Sequence, residues 1–262
     1  MILEPLQYLL GIGSGALVGF VLALVGGGGS ILAVPLMVYL VKVDSPHVAI
    51  GTSALAVAVS AATGLASHAR EANVQWRCAG LFAGAGVAGA ALGSTFGKAF
   101  DGQRLLFLFA ILMIVVGFLM LRRNNRQANL QVKLGRENAG KLAGYGTMAG
   151  AVSGFFGIGG GFLIVPGLIA ATGMSMISAV GSSLVAVTAF GLTTAANYAL
   201  SGLVAWGLAL AFILGGLCGG VLGTRLARYL TQSRDRLTAV FAALIFAVAG
   251  YMLWESGSRA WG

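Results

Sequence analysis

The chain has 262 residues, 58% of them hydrophobic and 9% charged, with a mean hydropathy of +0.92; this excludes a water-soluble domain and identifies a membrane protein. Its formal charge of +9 does not point to nucleic acid, because the cations stand in short stretches between apolar segments, where membrane topology accounts for them. Its 42 glycines follow no Gly-X-Y period, which excludes collagen and suits close helix packing in lipid.

Taken in chain order, the N-terminus Met1-Ile2-Leu3-Glu4-Pro5 has no basic n-region, so the first apolar segment, Leu6 to Val25, is expected to stay in the mature protein. Four more follow: Ile31 to Val41, Val48 to Ala66, Cys78 to Gly97 and Leu105 to Leu121. The second would span only about 17 Å as a helix, against a hydrocarbon core of about 30 Å. The first two segments therefore form either two short crossings or a re-entrant hairpin, with Gly26 to Gly29 as the turn. Cys78 and Cys218 fall in apolar Gly-rich runs and read as buried thiols, with no disulfide or metal framework.

A polar linker, 122–141, separates this half, 1–121, from a second half, 142–262, that repeats it. Gly26 to Pro35 aligns with Gly157 to Pro166 at an offset of 131, Ala49 to Ser53 with Ala179 to Ser183 at 130, and Val74-Gln75-Trp76 with Val204-Ala205-Trp206 at 130. Gly89 and Gly93 match Gly219 and Gly223. Register held through four stretches indicates duplication.

Loop charge sets the expected topology. If the first two segments of each half go in and come back, the second half is inverted. Arg70, Arg77, Arg122, Arg123, Arg126, Lys133, Arg136, Lys141, Arg225, Arg228, Arg234 and Arg236 then share the cytoplasm, leaving Lys42, Lys98, Arg104 and Arg259 outside. A parallel arrangement would split the cations almost evenly. The expected fold is therefore an all-α, polytopic transmembrane bundle of two inverted repeats, each an interrupted or re-entrant helical pair plus three full-length helices. It would sit in a bacterial inner membrane, with the linker cytoplasmic and both termini periplasmic. Inverted repeats with interrupted helices are a transporter architecture.

A helix that starts after a Gly-rich break presents free N–H groups and the positive end of its dipole, an anion site that needs no charged side chain. Both halves have the feature, at Gly28, Gly29 and Ser30 and at Gly159, Gly160 and Gly161. For a single Gly run, close packing is the commoner role; duplication shifts the balance toward binding. Thr52 and Ser53, matched by Ser182 and Ser183, offer hydroxyls to the same anion, against the alternative of bonding a preceding turn or a neighbouring helix. His68, its partner position Tyr198, and Asn197 lie where a polar group lines a vestibule or anchors an interface. Trp76 and Trp206 read as interface aromatics. The Gly89/Gly93/Gly97 and Gly215/Gly219/Gly223 stripes read as packing faces, within one chain or across a homodimer equally well.

No Asp or Glu lies in the middle of an apolar segment, which argues against carboxylate proton coupling. Enzyme readings are poor. Gly26 to Gly29 is followed by Ile31 where a dinucleotide loop needs its last Gly, and Ser14 and Ser153 lack a His partner at a predictable place. No cofactor and no metal are expected; the expected partners are a small anion and the lipid bilayer.

The repeated Gly-rich stretch ending in Val34-Pro35 and Val165-Pro166, the Gly51-Thr52-Ser53 element, and His68 followed by Asn73-Val74-Gln75-Trp76 together resemble the sulfite exporter TauE/SafE family. The resemblance covers nearly the whole chain. It implies an inner-membrane carrier that exports sulfite, sulfonates or related sulfur oxyanions. The residues themselves point to an anion carrier, with an anion channel of the same lining as the alternative and a non-transporting scaffold or enzyme third.

Overall fold

The computed structural model describes residues 4–25, 27–121, 136–229 and 234–261. The chain is helical, with no strand among the described residues. α1 (Pro5–Val25) leads into an irregularly wound segment: a 3-10 stretch (Gly27–Leu32), a single turn α2 (Ala33–Pro35) and a π-helical stretch (Leu36–Leu40). α3 (Pro46–Arg70), α4 (Trp76–Ala99) and α5 (Gly102–Leu121) complete the first half. The second half holds α6 (Arg136–Phe156), α7 (Gly161–Thr172), α8 (Met176–Ala199), α9 (Trp206–Tyr229) and α10 (Arg234–Trp261). α6 begins inside the stretch read as linker; the rest of that stretch, 122–135, lies outside the described residues.

Among the described residues, six helices, α1, α3, α4, α5, α8 and α9, are long and apolar enough to cross a bilayer. The chain is a multi-pass membrane protein, as its hydropathy requires.

Local signals explain the helix ends. Pro46 occupies the first turn of α3, where its missing N–H is harmless. Ser175 caps α8 by accepting from the Ser178 N–H. α7 stops at Gly173, whose φ of 72° is left-handed. The equivalent turn of the first half puts Lys42 at φ 59°, and the turns after α3 and α8 put Ala72 at 54° and Gly202 at 69°. The repeat therefore extends to backbone conformation, even where only one copy has the glycine that suits it.

Glycine contacts set the helix pairing. Gly15 lies on Phe212, Gly19 on Gly216 and Gly223 on Phe20, so α1 and α9 run parallel in backbone contact. Gly146 on Phe82, Gly150 on Gly86 and Gly154 on Ala90 do the same for α6 and α4. Without Cβ atoms the helices approach until carbonyls touch Cα atoms, the packing that small-residue stripes permit in lipid. The stripe Gly89/Gly93/Gly97 meets Thr147, Ala151 and Phe155 within the same chain, and Gly215/Gly219/Gly223 meets Ile12, Ala16 and Phe20.

Cys78 is buried as expected, but Cys218 is exposed. It neighbours Gly219, whose face is closed against α1, and a step of one residue turns the side chain about 100° away, out of that seam.

The central pair is α3 and α8. Gly51 meets Tyr198, Gly191 meets Ala54 and Ala58, and Gly64 faces Leu184, so these two repeat-related helices cross antiparallel. The Gly-rich breaks lie against them. In the second half Gly160 abuts Ser153 and Gly167 approaches Tyr145, so α7 folds back along α6. In the first half Gly29 abuts Leu22, while Gln7 Nε2 donates to the carbonyls of Val41 and Lys42 at 3.2 and 3.3 Å. The segment Gly27–Leu40 thus folds back along α1, and each half opens with a helical hairpin.

Candidate functional site

The two hairpin tips meet. The Gly27–Leu32 stretch, which carries Gly28, Gly29 and Ser30, packs against α7 and α8. Gly159, at the other tip, lies between Val57 of α3 and Val187 of α8, with the site of a Cβ 3.1 Å from one Val Cγ1 and 3.2 Å from the other. Those valines are repeat partners near the middle of their helices. The tip of the second hairpin therefore occupies the crossing point of α3 and α8, at mid-depth.

The tips are wound differently. Gly157, Gly159 and Gly160 take left-handed φ values of 66–68°, reversing the chain so that a regular helix starts at Gly161 with Gly160 as its N-cap. Only glycine adopts such a run without strain. The Gly160 carbonyl accepts from the Leu163 and Ile164 N–H groups at 2.9 and 3.1 Å. The Gly161 and Phe162 N–H groups make no well-formed hydrogen bond among the described residues beyond the tight Gly159-Gly160 turn, and they form the positive end of the α7 dipole. The first-half break is a 3-10 stretch followed by one α turn and does not present an equivalent helix terminus. Ser30, the partner position of Gly161, is fully buried there.

The hydroxyl pairs flank this tip without converging on it. Thr52 Oγ1 accepts from the Ala205 N–H at 3.0 Å, and its repeat partner Ser182 Oγ accepts from the Gln75 N–H at 2.9 Å. Both side chains are fully buried. Each stands five residues before the valine that touches Gly159. With α3 and α8 antiparallel, the two hydroxyls lie about 15 Å apart along the bundle, too far for one small oxyanion to touch both. Ser53 and Ser183 donate to the carbonyls of Ile50 and Val180 in their own helices at 3.1 and 2.8 Å. The alternative weighed from the sequence, bonding to a preceding turn or a neighbouring helix, describes Ser53 and Ser183, while Thr52 and Ser182 instead bond the loop residues just before α9 and α4.

His68 lies near the C-terminal end of α3, half-buried, with Nδ1 buried and lacking a hydrogen-bond partner. Its partner Tyr198 is fully buried with an equally unpartnered hydroxyl. Asn197 joins a polar cluster. Its Oδ1 and its backbone carbonyl accept from Lys98 Nζ at 2.8 and 3.0 Å, and its Nδ2 donates to Ser94 Oγ at 2.6 Å and Thr95 Oγ1 at 3.0 Å. Ser201 Oγ accepts the third Lys98 proton at 2.8 Å. Lys98 is thus held by neutral oxygens at the end of α8, where helix carbonyls favour a cation. Sequence reasoning missed that role, since a lone Lys at the end of an apolar segment carries no sign of its partner. Trp76 and Trp206 are exposed at the starts of α4 and α9, as interface aromatics are. Among the described residues, no group of three or more His, Cys, Asp or Glu could hold a metal ion.

Comparison with known proteins adds to this geometry. The family model for the sulfite exporter TauE/SafE matches residues 11–252. A "Probable membrane transporter protein" of Xylella fastidiosa is 52% identical over 252 residues, covering 94% of each chain. The "Probable membrane transporter protein YunE" of Bacillus subtilis is 28% identical over 264 residues, covering 93% of this chain and 96% of its own. No solved structure matches the chain.

Proposed function

Because the chain belongs to the sulfite exporter TauE/SafE family and is a membrane transporter, we propose that it exports sulfite, an organosulfonate or a related sulfur oxyanion across a bacterial inner membrane. The cargo binds near the midplane where the hairpin tips meet, held by backbone N–H groups at the start of α7, with the hydroxyl-bearing stretches of α3 and α8 on either side. The observation that carries this reading is Gly159 between Val57 and Val187. It puts amide donors, a helix dipole and no carboxylate at the crossing of two repeat-related helices.

The two halves act as inverted repeats, 1–121 and 142–262, joined by a cytoplasmic linker, with both termini periplasmic. The antiparallel crossing of α3 and α8 supports this. Exchange of the two hairpins between equivalent environments then gives access from each side in turn. The role is carriage, with no bond made or broken in the cargo.

Flux of sulfite and of an organosulfonate into proteoliposomes tests the proposal. Saturable flux, accelerated by the same anion on the far side, is the expected result. Flux that rises linearly with concentration and shows no counter-transport indicates a channel. Absence of flux for every sulfur oxyanion rejects the cargo class.

A further inference from the structure

Ser153 is one of four buried hydroxyls among the described residues, with Ser14, Thr194 and Tyr198, that lack a hydrogen-bond partner. Ser53, Ser183, Ser94 and Thr188 each donate to a carbonyl three or four residues earlier in their own helices, the usual fate of a hydroxyl on a helix in lipid. Ser153 is fully buried on the last turn of α6, and its Oγ has no hydrogen-bond partner. A buried O–H without an acceptor is unfavourable. Its side chain is directed instead at the start of α7: a Cβ on Gly160 would lie 2.7 Å from Ser153 Cβ and 2.9 Å from Oγ. The unengaged hydroxyl therefore adjoins the N-cap residue of α7, where the same Cβ site is 3.6 Å from the Ala149 carbonyl. A free hydroxyl and the positive end of a helix dipole thus meet at this turn.

The first half lacks this arrangement. Leu22 occupies the position equivalent to Ser153 at the offset of 131, and its backbone lies against Gly29. The first tip thus has no hydroxyl at the position where the second has one.

We infer that Ser153 is a direct ligand of the transported anion, donating from Oγ to one oxygen while the Gly161 and Phe162 N–H groups hold the others. The inference rests on the oxyanion reading above and deepens it. The arrangement suits a compact oxyanion with several oxygens on one centre, such as sulfite or a sulfonate head, and it favours such a group over chloride, which has no separate oxygens to distribute among the donors.

The test uses the whole protein with sulfite as probe and chloride at matched ionic strength as reference. Ser153→Ala preserves volume and removes an orphaned buried hydroxyl, so thermal stability without ligand should stay at or above that of the parent. The KM for sulfite flux should rise about tenfold, the loss of one hydrogen bond to a charged group, with kcat changed far less. Ser153→Cys, a weaker donor of similar size, should fall between the two, and it carries the test if the Ala variant folds poorly. A parent-like KM in whichever variant folds, with undiminished thermal stabilisation by sulfite, overturns the assignment of Ser153 and leaves the transport reading standing. No sulfite flux or stabilisation in the parent overturns both.

Discussion

Thr52 Oγ1 accepts a 3.0 Å hydrogen bond from the backbone N–H of Ala205, which opens the last turn of loop before α9. The repeat provides its twin, Ser182 with Gln75 before α4. Each half thus fastens a loop of the other through a fully buried hydroxyl. Thr52→Val should leave the Ala205 N–H unsatisfied and lower stability by about 1–3 kcal/mol, whereas Thr52→Ser should behave as the parent. Denaturation in detergent reads the difference. A stable Thr52→Val variant would show that water or a shifted loop replaces the bond.

The helix seams make a second prediction. A Cβ at Gly93 would overlap the Ala151 carbonyl, while one at Gly80 on the same helix would meet nothing within 4 Å. Gly93→Ala should force α4 and α6 apart and cost about 1–3 kcal/mol. Gly80→Ala should be neutral or stabilising by up to about 1 kcal/mol. Thermal melting of the pair checks both signs in one helix.

Left-handed turns make a third. Ala72 has φ 54° where its repeat counterpart Gly202 has 69°. Ala72→Gly should relieve strain of about 1–2 kcal/mol, partly offset by the greater freedom of glycine in the unfolded chain, for a net gain of about half to one kcal/mol. Gly202→Ala should cost a similar amount. Matching melts for Ala72→Gly and its parent would mean that the αL strain is relaxed elsewhere.

Gly159 makes the fourth. Its left-handed φ and the Val57 and Val187 methyl groups both oppose a side chain. Gly159→Ala should insert poorly at the crossing of α3 and α8 and abolish flux, even where the protein is recovered folded. Flux at the parental rate would place the transport path away from the hairpin tip.

Hydropathy and the duplicated motifs made much of this molecule readable from the chain. Segment ends lay within a few residues of the observed helices, the Gly stripes marked the closest helix seams, and the short second segment marked the hairpins. These are features of spacing and composition, which act locally and survive without knowledge of neighbours. The fate of polar side chains does not. Thr52 and Ser182 read equally as ligands or as structurally bonded hydroxyls, because the sequence cannot show an N–H arriving from 153 or 107 residues away. Ser153 reads from the sequence only as a nucleophile without a His partner, because an orphaned hydroxyl is defined by the partners that packing withholds from it. Whether a hydroxyl clamps, back-bonds or waits for an anion depends on long-range placement, which arises only when the two halves fold against each other.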